Sequence, residues 1–173
     1  MGVRWATFER GTISLANTPR KVTASGVTAT GMTERSRDES SSVDAACDWS
    51  GPVDLTHMDC GESIKMGENS PEDILLGSKL AQEPDKYLSL SATTYIDRND
   101  PPIIIFHGEK DNVVPCCQGM MFFEQLKAAG VTTEATFVPE GGHGMGMYAE
   151  ENLQKMVGFL NAARAKKAHT IAK

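Results

Sequence analysis

The run Asp100 to Pro115, DPPIIIFHGEKDNVVP, constrains the fold more than any other stretch of this chain. Asp100, Pro101 and Pro102 read as a turn, Ile103 to Phe106 as an unbroken apolar run, and Gly108 and Asp111 lie in the polar loop beyond it. Four β-branched or aromatic residues between proline and glycine predict a strand buried on both faces, as in a parallel sheet covered by helices. Open α/β folds place their chemistry in the loops at the carboxyl edge of such a sheet. Asp111 therefore stands at a functional address.

The pattern continues coherently downstream. Cys116 to Ala129 predicts a helix stopped by Gly130, with Met120, Phe123 and Lys127 on one face and Phe122, Leu126 and Ala129 beside them. Thr132 to Val138 predicts a strand ended by Pro139. The glycine-rich loop Gly141-Gly142-His143-Gly144 follows, then a helix from about Tyr148 to Ala163 with Leu153, Met156, Val157 and Leu160 as its apolar stripe. Strand, Asp loop, helix, strand, His loop and helix bring Asp111 and His143 to the same edge of one sheet. A carboxylate that orients an imidazole, which in turn takes a proton from a serine hydroxyl, is the arrangement that nucleophilic hydrolysis needs.

HGEKDNVVP followed by GGHG about thirty positions later resembles the C-terminal half of the α/β-hydrolase fold, esterase/lipase branch. The match is nearest to bacterial carbohydrate-ester and feruloyl-type esterases. VDAACDWSGPVDL (Val43 to Leu55), SPEDILLG (Ser70 to Gly77) and SLSATTYIDRNDPP (Ser89 to Pro102) add to the resemblance, which covers roughly Ser42 to Ala163. It implies parallel strands with flanking helices, a carboxylic-ester hydrolase, Asp111 as the acid and His143 as the base of a catalytic triad, a small acyl or carbohydrate ester as substrate, and no cofactor or metal.

The nucleophile is what the sequence does not supply. No G-x-S-x-G elbow occurs in it. By distance, WATFERG (Trp5 to Gly11) occupies the place of the elbow, with Phe8 where the serine belongs. Ser14 and Ser25 lack flanking glycines and read as surface serines. Two readings follow: a hydrolase by descent whose chain alone is inactive, or a non-catalytic truncated or pseudo-enzyme that acts, if at all, by binding. An unrelated doubly wound binding domain, with Asp111 and His143 as coincidental loop residues, is a third.

Residues 1–42 stand apart from residues 43–173. They are rich in Ser, Thr and Arg, show no sustained period, and carry six Lys or Arg against four Asp or Glu, a balance of +2 within a chain of −6. They read as irregular, joined to the hydrolase portion, with the upstream strands of the fold and the parent N-terminus expected to be absent. The acidic remainder argues against nucleic acid as a partner, and no run is long and apolar enough to span a bilayer. The compartment is unassigned.

Among smaller features, Val43 to Trp49 reads as a strand, with Gly51-Pro52 turning the chain out of it and Cys47 in the core, while adjacent Cys116 and Cys117 suit neither a common zinc site nor an ordinary structural disulfide, and a bridge from Cys60 stays open. Asp48, Asp54, His57 and Asp59 lack the ligand order of a hard-cation loop, and the carboxylates among them read as loop carboxylates. His143, Met145 and Met147 as a soft-metal set would leave their place after the last strand unexplained. Ser70-Pro71-Glu72-Asp73 and Glu83-Pro84-Asp85 are helix starts, with Ile74, Leu75 and Leu76 packing beneath the first. Trp49 and Tyr95 read as core residues within reach of a substrate. A partial sheet leaves an apolar strand edge, which implies self-association or a partner.

Overall fold

The computed structural model describes residues 6–8, 43–60 and 70–171, with side chains for 43–60 and 70–166. Four parallel strands lie in the order of the chain: β1 (Ala6–Phe8), β2 (Ala46–Trp49), β3 (Ile103–Gly108) and β4 (Thr133–Val138). Between β2 and β3 come α1 (Pro71–Leu76), α2 (Pro84–Leu90) and a 3-10 turn (Ala92–Tyr95), while α3 (Cys116–Ala129) joins β3 to β4 and α4 (Glu150–Ile171) follows. The register sets Ala46 against Ile103 and Ile103 against Thr133, so the ends of β2, β3 and β4 form one edge.

β3 is buried at all six positions, as an apolar run between two helical layers requires. Side-chain alternation divides the core. Cys47, Trp49, Ile104 and Phe106 point toward α4, where Phe159, Leu160 and Ala163 meet them. Ile103 and Ile105 point to the opposite face and pack on Phe122 and Leu126 of α3. Burial of each large apolar side chain contributes about 1.5–3 kcal/mol, so this central strand is the main source of cohesion.

Several local expectations need correction. Of α1, only Leu76 is buried, and Ile74 is 72% exposed, because one and a half turns of helix cannot turn three consecutive residues to one side. Helix α4 starts at Glu150, runs past Ala163, and faces the core through Phe159, Leu160 and Ala163, leaving Val157 46% exposed. Met120 of α3 is likewise exposed. Within residues 1–42, Ala6–Phe8 form a strand beside β2, which covers the edge there from Ala46 to Asp48, and the rest of that segment, Ser14 and Ser25 included, lies outside the described residues.

The N-cap of α1 is as its residue types predict, whereas Glu83 starts α2 without a side-chain cap. Ser70 Oγ accepts the Asp73 N–H at 3.1 Å, and left-handed Gly77 closes α1. Gly130, also left-handed at φ 81°, closes α3 and lets the chain enter β4 three residues later. Cys60 and Cys117 form a disulfide. Successive residues on a helix diverge by about 100°, so adjacency does not tie their fates: Cys117 bonds to Cys60 in the loop after β2, and Cys116 stays a free thiol. Cys47 is buried in the core as a free thiol.

Candidate active site

The loops leaving β3 and β4 are built against each other. Glu109 N–H donates to the Val138 carbonyl at 2.9 Å and Lys110 N–H to the Gly141 carbonyl at 2.9 Å, which continues the strand pairing beyond the sheet. Gly108 makes this approach feasible, since a Cβ there would lie 2.2 Å from the Gly141 oxygen. Lys110 and Glu140 add an exposed ion pair across the same gap.

Asp111 sits in the turn that links β3 to α3, its side chain fully shielded from solvent. Its Oδ1 accepts the N–H groups of Val113 and Val114, each at 2.9 Å. Its Oδ2 lies 2.9 Å from Nδ1 of His143. A carboxylate can only accept, so His143 carries its proton on Nδ1 and presents Nε2 as a lone pair on the side of the ring away from Asp111. The His143 side chain is 35% exposed, which leaves that nitrogen approachable. The two residues predicted from the sequence are thus brought together, and the geometry is that of a base held by its orienting acid.

Two neighbours of the pair went unremarked in the sequence. His107, at the end of β3, is fully buried, and its Nε2 donates to the Val114 carbonyl at 2.9 Å. Burial pushes its pKa down, against the pull of the Val114 carbonyl and of Asp111, and so holds the ring neutral. Gln118, also fully buried in α3, accepts the N–H groups of Val53 and Asp54 and donates to the His57 carbonyl at 2.8 Å. With the Cys60–Cys117 bridge it fastens the loop after β2 to the helix that follows Asp111. The signal for both was a hydrogen-bonding side chain in an otherwise apolar pattern, which a buried site tolerates only when partnered.

Other candidates separate from the pair. Asp48 belongs to β2 and is buried, not a loop carboxylate: its Oδ1 accepts the Gly51 N–H at 2.9 Å, its Oδ2 has no partner among the described residues, and burial pushes its pKa up to about 6. Asp54 and His57 hydrogen-bond each other at 3.2 Å on the surface; although burial opposes it, the Thr56 hydroxyl and amide and the His57 ring hold the Asp54 carboxyl below its usual value. Met145 is 81% exposed whereas Met147 is buried in the core, so they do not converge with His143 on one point. Trp49 stacks on Phe106 at 4.2 Å and tilts against Tyr148 at 4.9 Å, and Tyr95 donates its hydroxyl proton to the Ser89 carbonyl. Cys116 is no substitute nucleophile, since burial, Glu109 and Asp111 push its thiol up to about 11. Phe8, at the place where the sequence alignment sets the serine, is the last residue of β1 and pairs in register with Asp48.

Comparison with known proteins places these features. The BD-FAE family profile matches residues 14–126, which include β2, β3 and Asp111 and end within α3. Esterase LipQ of Mycobacterium tuberculosis is 31% identical over 91 residues, 53% of this chain and 21% of LipQ. A truncated carbohydrate esterase from gut microbiota superposes with a TM-score of 0.67 at 36% identity, covering 72% of this chain and 44% of the other. A bifunctional GH43-CE protein of Bacteroides eggerthii superposes with a TM-score of 0.64 at 44% identity, covering 72% of this chain and 17% of the other. The chain thus spans less than half the length of each of these relatives.

Proposed function

The chain belongs to the BD-FAE family, with the carboxyl-terminal portion of an α/β-hydrolase esterase fold, and from that premise we propose that it carries the acid–base half of a serine-type carboxylic-ester hydrolase. Asp111 orients His143 and stabilises its charged form. His143 accepts the proton of an attacking serine and returns it to the leaving alcohol. The observation that carries this reading is the 2.9 Å contact between His143 Nδ1 and a buried carboxylate whose other oxygen is held by two backbone N–H groups. The substrate class in this reading is a small acyl or carbohydrate-linked ester; the relatives' names, an esterase and a carbohydrate esterase, support an ester. Residues 43–173 form the hydrolase portion in this reading, and residues 1–42 a segment of different character.

The nucleophile is the open part of the reaction. The sequence has no G-x-S-x-G, so this polypeptide by itself turns over little or no ester; a nucleophile and an oxyanion hole are each worth orders of magnitude in rate. The same absence favours a second reading, in which the chain is a non-catalytic relative that keeps the fold and binds. The folded chain, treated with a fluorophosphonate and mapped by intact mass and peptide digestion beside a His143→Ala control, tests both. No labelled serine is the expected result. One labelled serine that disappears with His143 would make the chain an active hydrolase and overturn the inactivity. Labelling that ignores His143 would sink its role as base.

A further inference from the structure

We propose that His107 is a positioning residue for the Asp111–His143 pair: it fixes the Val114 peptide, that peptide fixes the carboxylate, and the carboxylate fixes the tautomer of His143. The proposal rests on the acid–base reading above.

The links are all short, and the first two are buried. His107 Nε2–H donates to the Val114 carbonyl at 2.9 Å, and the N–H of the same residue donates to Asp111 Oδ1 at 2.9 Å. Val114 is thereby held from both ends. An apolar side chain at position 107 would leave the Val114 carbonyl without its partner and free the turn that presents Asp111. His107 Nε2 is 3.6 Å from Asp111 Oδ2, too far to share the proton-accepting oxygen that His143 uses. His107 therefore steadies the carboxylate without competing for it.

The site is also shaped to keep this ring in place and uncharged. Gly119 of α3 lies against it so closely that a Cβ would come within 2.7 Å of Nδ1. Nδ1 has no hydrogen-bond partner among the described residues, so a second ring proton would be buried with none of them to accept it. A cation here would also sit beside Asp111 and draw off the negative charge that His143 needs. The charged or titratable groups that face the ring are Asp111, from its own loop, and His143, from the loop after β4.

The test reads His143 and not stability alone. Long-range proton–nitrogen correlation spectra of the full chain, labelled with nitrogen-15 at its four histidines and recorded at pH 8, report the tautomer of each ring. The expected wild-type spectrum has His107 as the Nε2–H form and His143 as the Nδ1–H form. In His107→Leu, with cooperative unfolding retained, the Nδ1–H population of His143 falls by about twofold or more, and His107→Gln, whose amide can still donate to Val114, restores it. A folded His107→Leu chain with His143 still wholly Nδ1–H overturns the proposal. Should that variant fail to fold, Gly119→Ala displaces the ring while keeping every polar group, and the same shift or its absence decides. A wild-type His143 found as Nε2–H would instead sink the acid–base reading itself, whatever the variants did.

Discussion

Asp48 and Asp111 are the same residue type, both buried, on adjacent strands or their loops at one sheet edge, yet their partners make them different chemical groups. Asp111 has both oxygens used, by two backbone N–H groups and by His143. Asp48 has one oxygen on the Gly51 N–H and the other without a partner among the described residues, and its pKa is pushed up to about 6. Burial alone therefore does not give two carboxylates the same surroundings. The donors arranged around each decide whether both oxygens are partnered and hold a neighbour, or one is left buried without a bond.

The largest way to break this contrast is to cut the tie between the two edges. The Cys60–Cys117 bridge closes a loop of sequence separation 57, and its removal by Cys60→Ser with Cys117→Ser is expected to cost about 4 kcal/mol in urea unfolding on the chain-entropy account. A cost near zero would mean that the hydrogen bonds of Gln118, Ser91 and Thr93 hold the loop after β2 without the bridge. Next comes Asp111→Ala, which strands two backbone donors and should cost about 3 kcal/mol, against about 1 kcal/mol for Asp48→Ala, which strands one. Equal costs would remove the distinction drawn here.

The pH dependence sharpens it further. The Asp48 pKa is raised on folding from 3.8 to about 6, so the folded state holds the proton more tightly. That group's contribution to stability is full below about pH 4 and is lost as pH rises through about 6, by roughly 3 kcal/mol in all. Subtracting the Asp48→Asn stability curve from the wild-type curve across that window should expose this falling term; a rising difference would reverse the assignment. His107 works in the opposite sense, since its lowered pKa adds stability that disappears as pH falls below its ordinary value of 6.5. The smallest effect is expected at the exposed Lys110–Glu140 pair, where Lys110→Ala should change stability by no more than about 0.5 kcal/mol, because solvent screens it and the backbone bonds between the loops remain.

How legible these features were in the sequence depends on whether their signals are local. Asp111, His143, the buried strand Ile103–Gly108 and the helix Cys116–Ala129 were readable because each is announced by its neighbours: proline before, glycine after, an apolar run between. The Cys60–Cys117 bridge was not, since nothing near either cysteine names a partner across residues 61–116. Asp48 was misread for a related reason. It lies in the run Val43 to Trp49 that reads as a strand, but by sequence its carboxylate groups with those of Asp54 and Asp59 in the loop beyond, and pairing with both neighbouring strands shows that it is inside the sheet. Likewise, the three apolar residues of α1 suggested a packed face, but which of them faces inward is set by the orientation of a short helix against the rest, and only Leu76 does.

The pairing of the loops after β3 and β4 has a further consequence for how this site can change. The hydrogen bonds that join Asp111 to His143, and the two loops to each other, all lie within one strand–helix–strand unit and the loop that follows it, so this pairing is assembled from sequence-near pieces, while β2 and the Cys60–Cys117 bridge support the unit from outside. On the acid–base reading proposed above, the pair is therefore a local property of that unit, and a substitution before Ile103 reaches it only through the packing of β3 and α3.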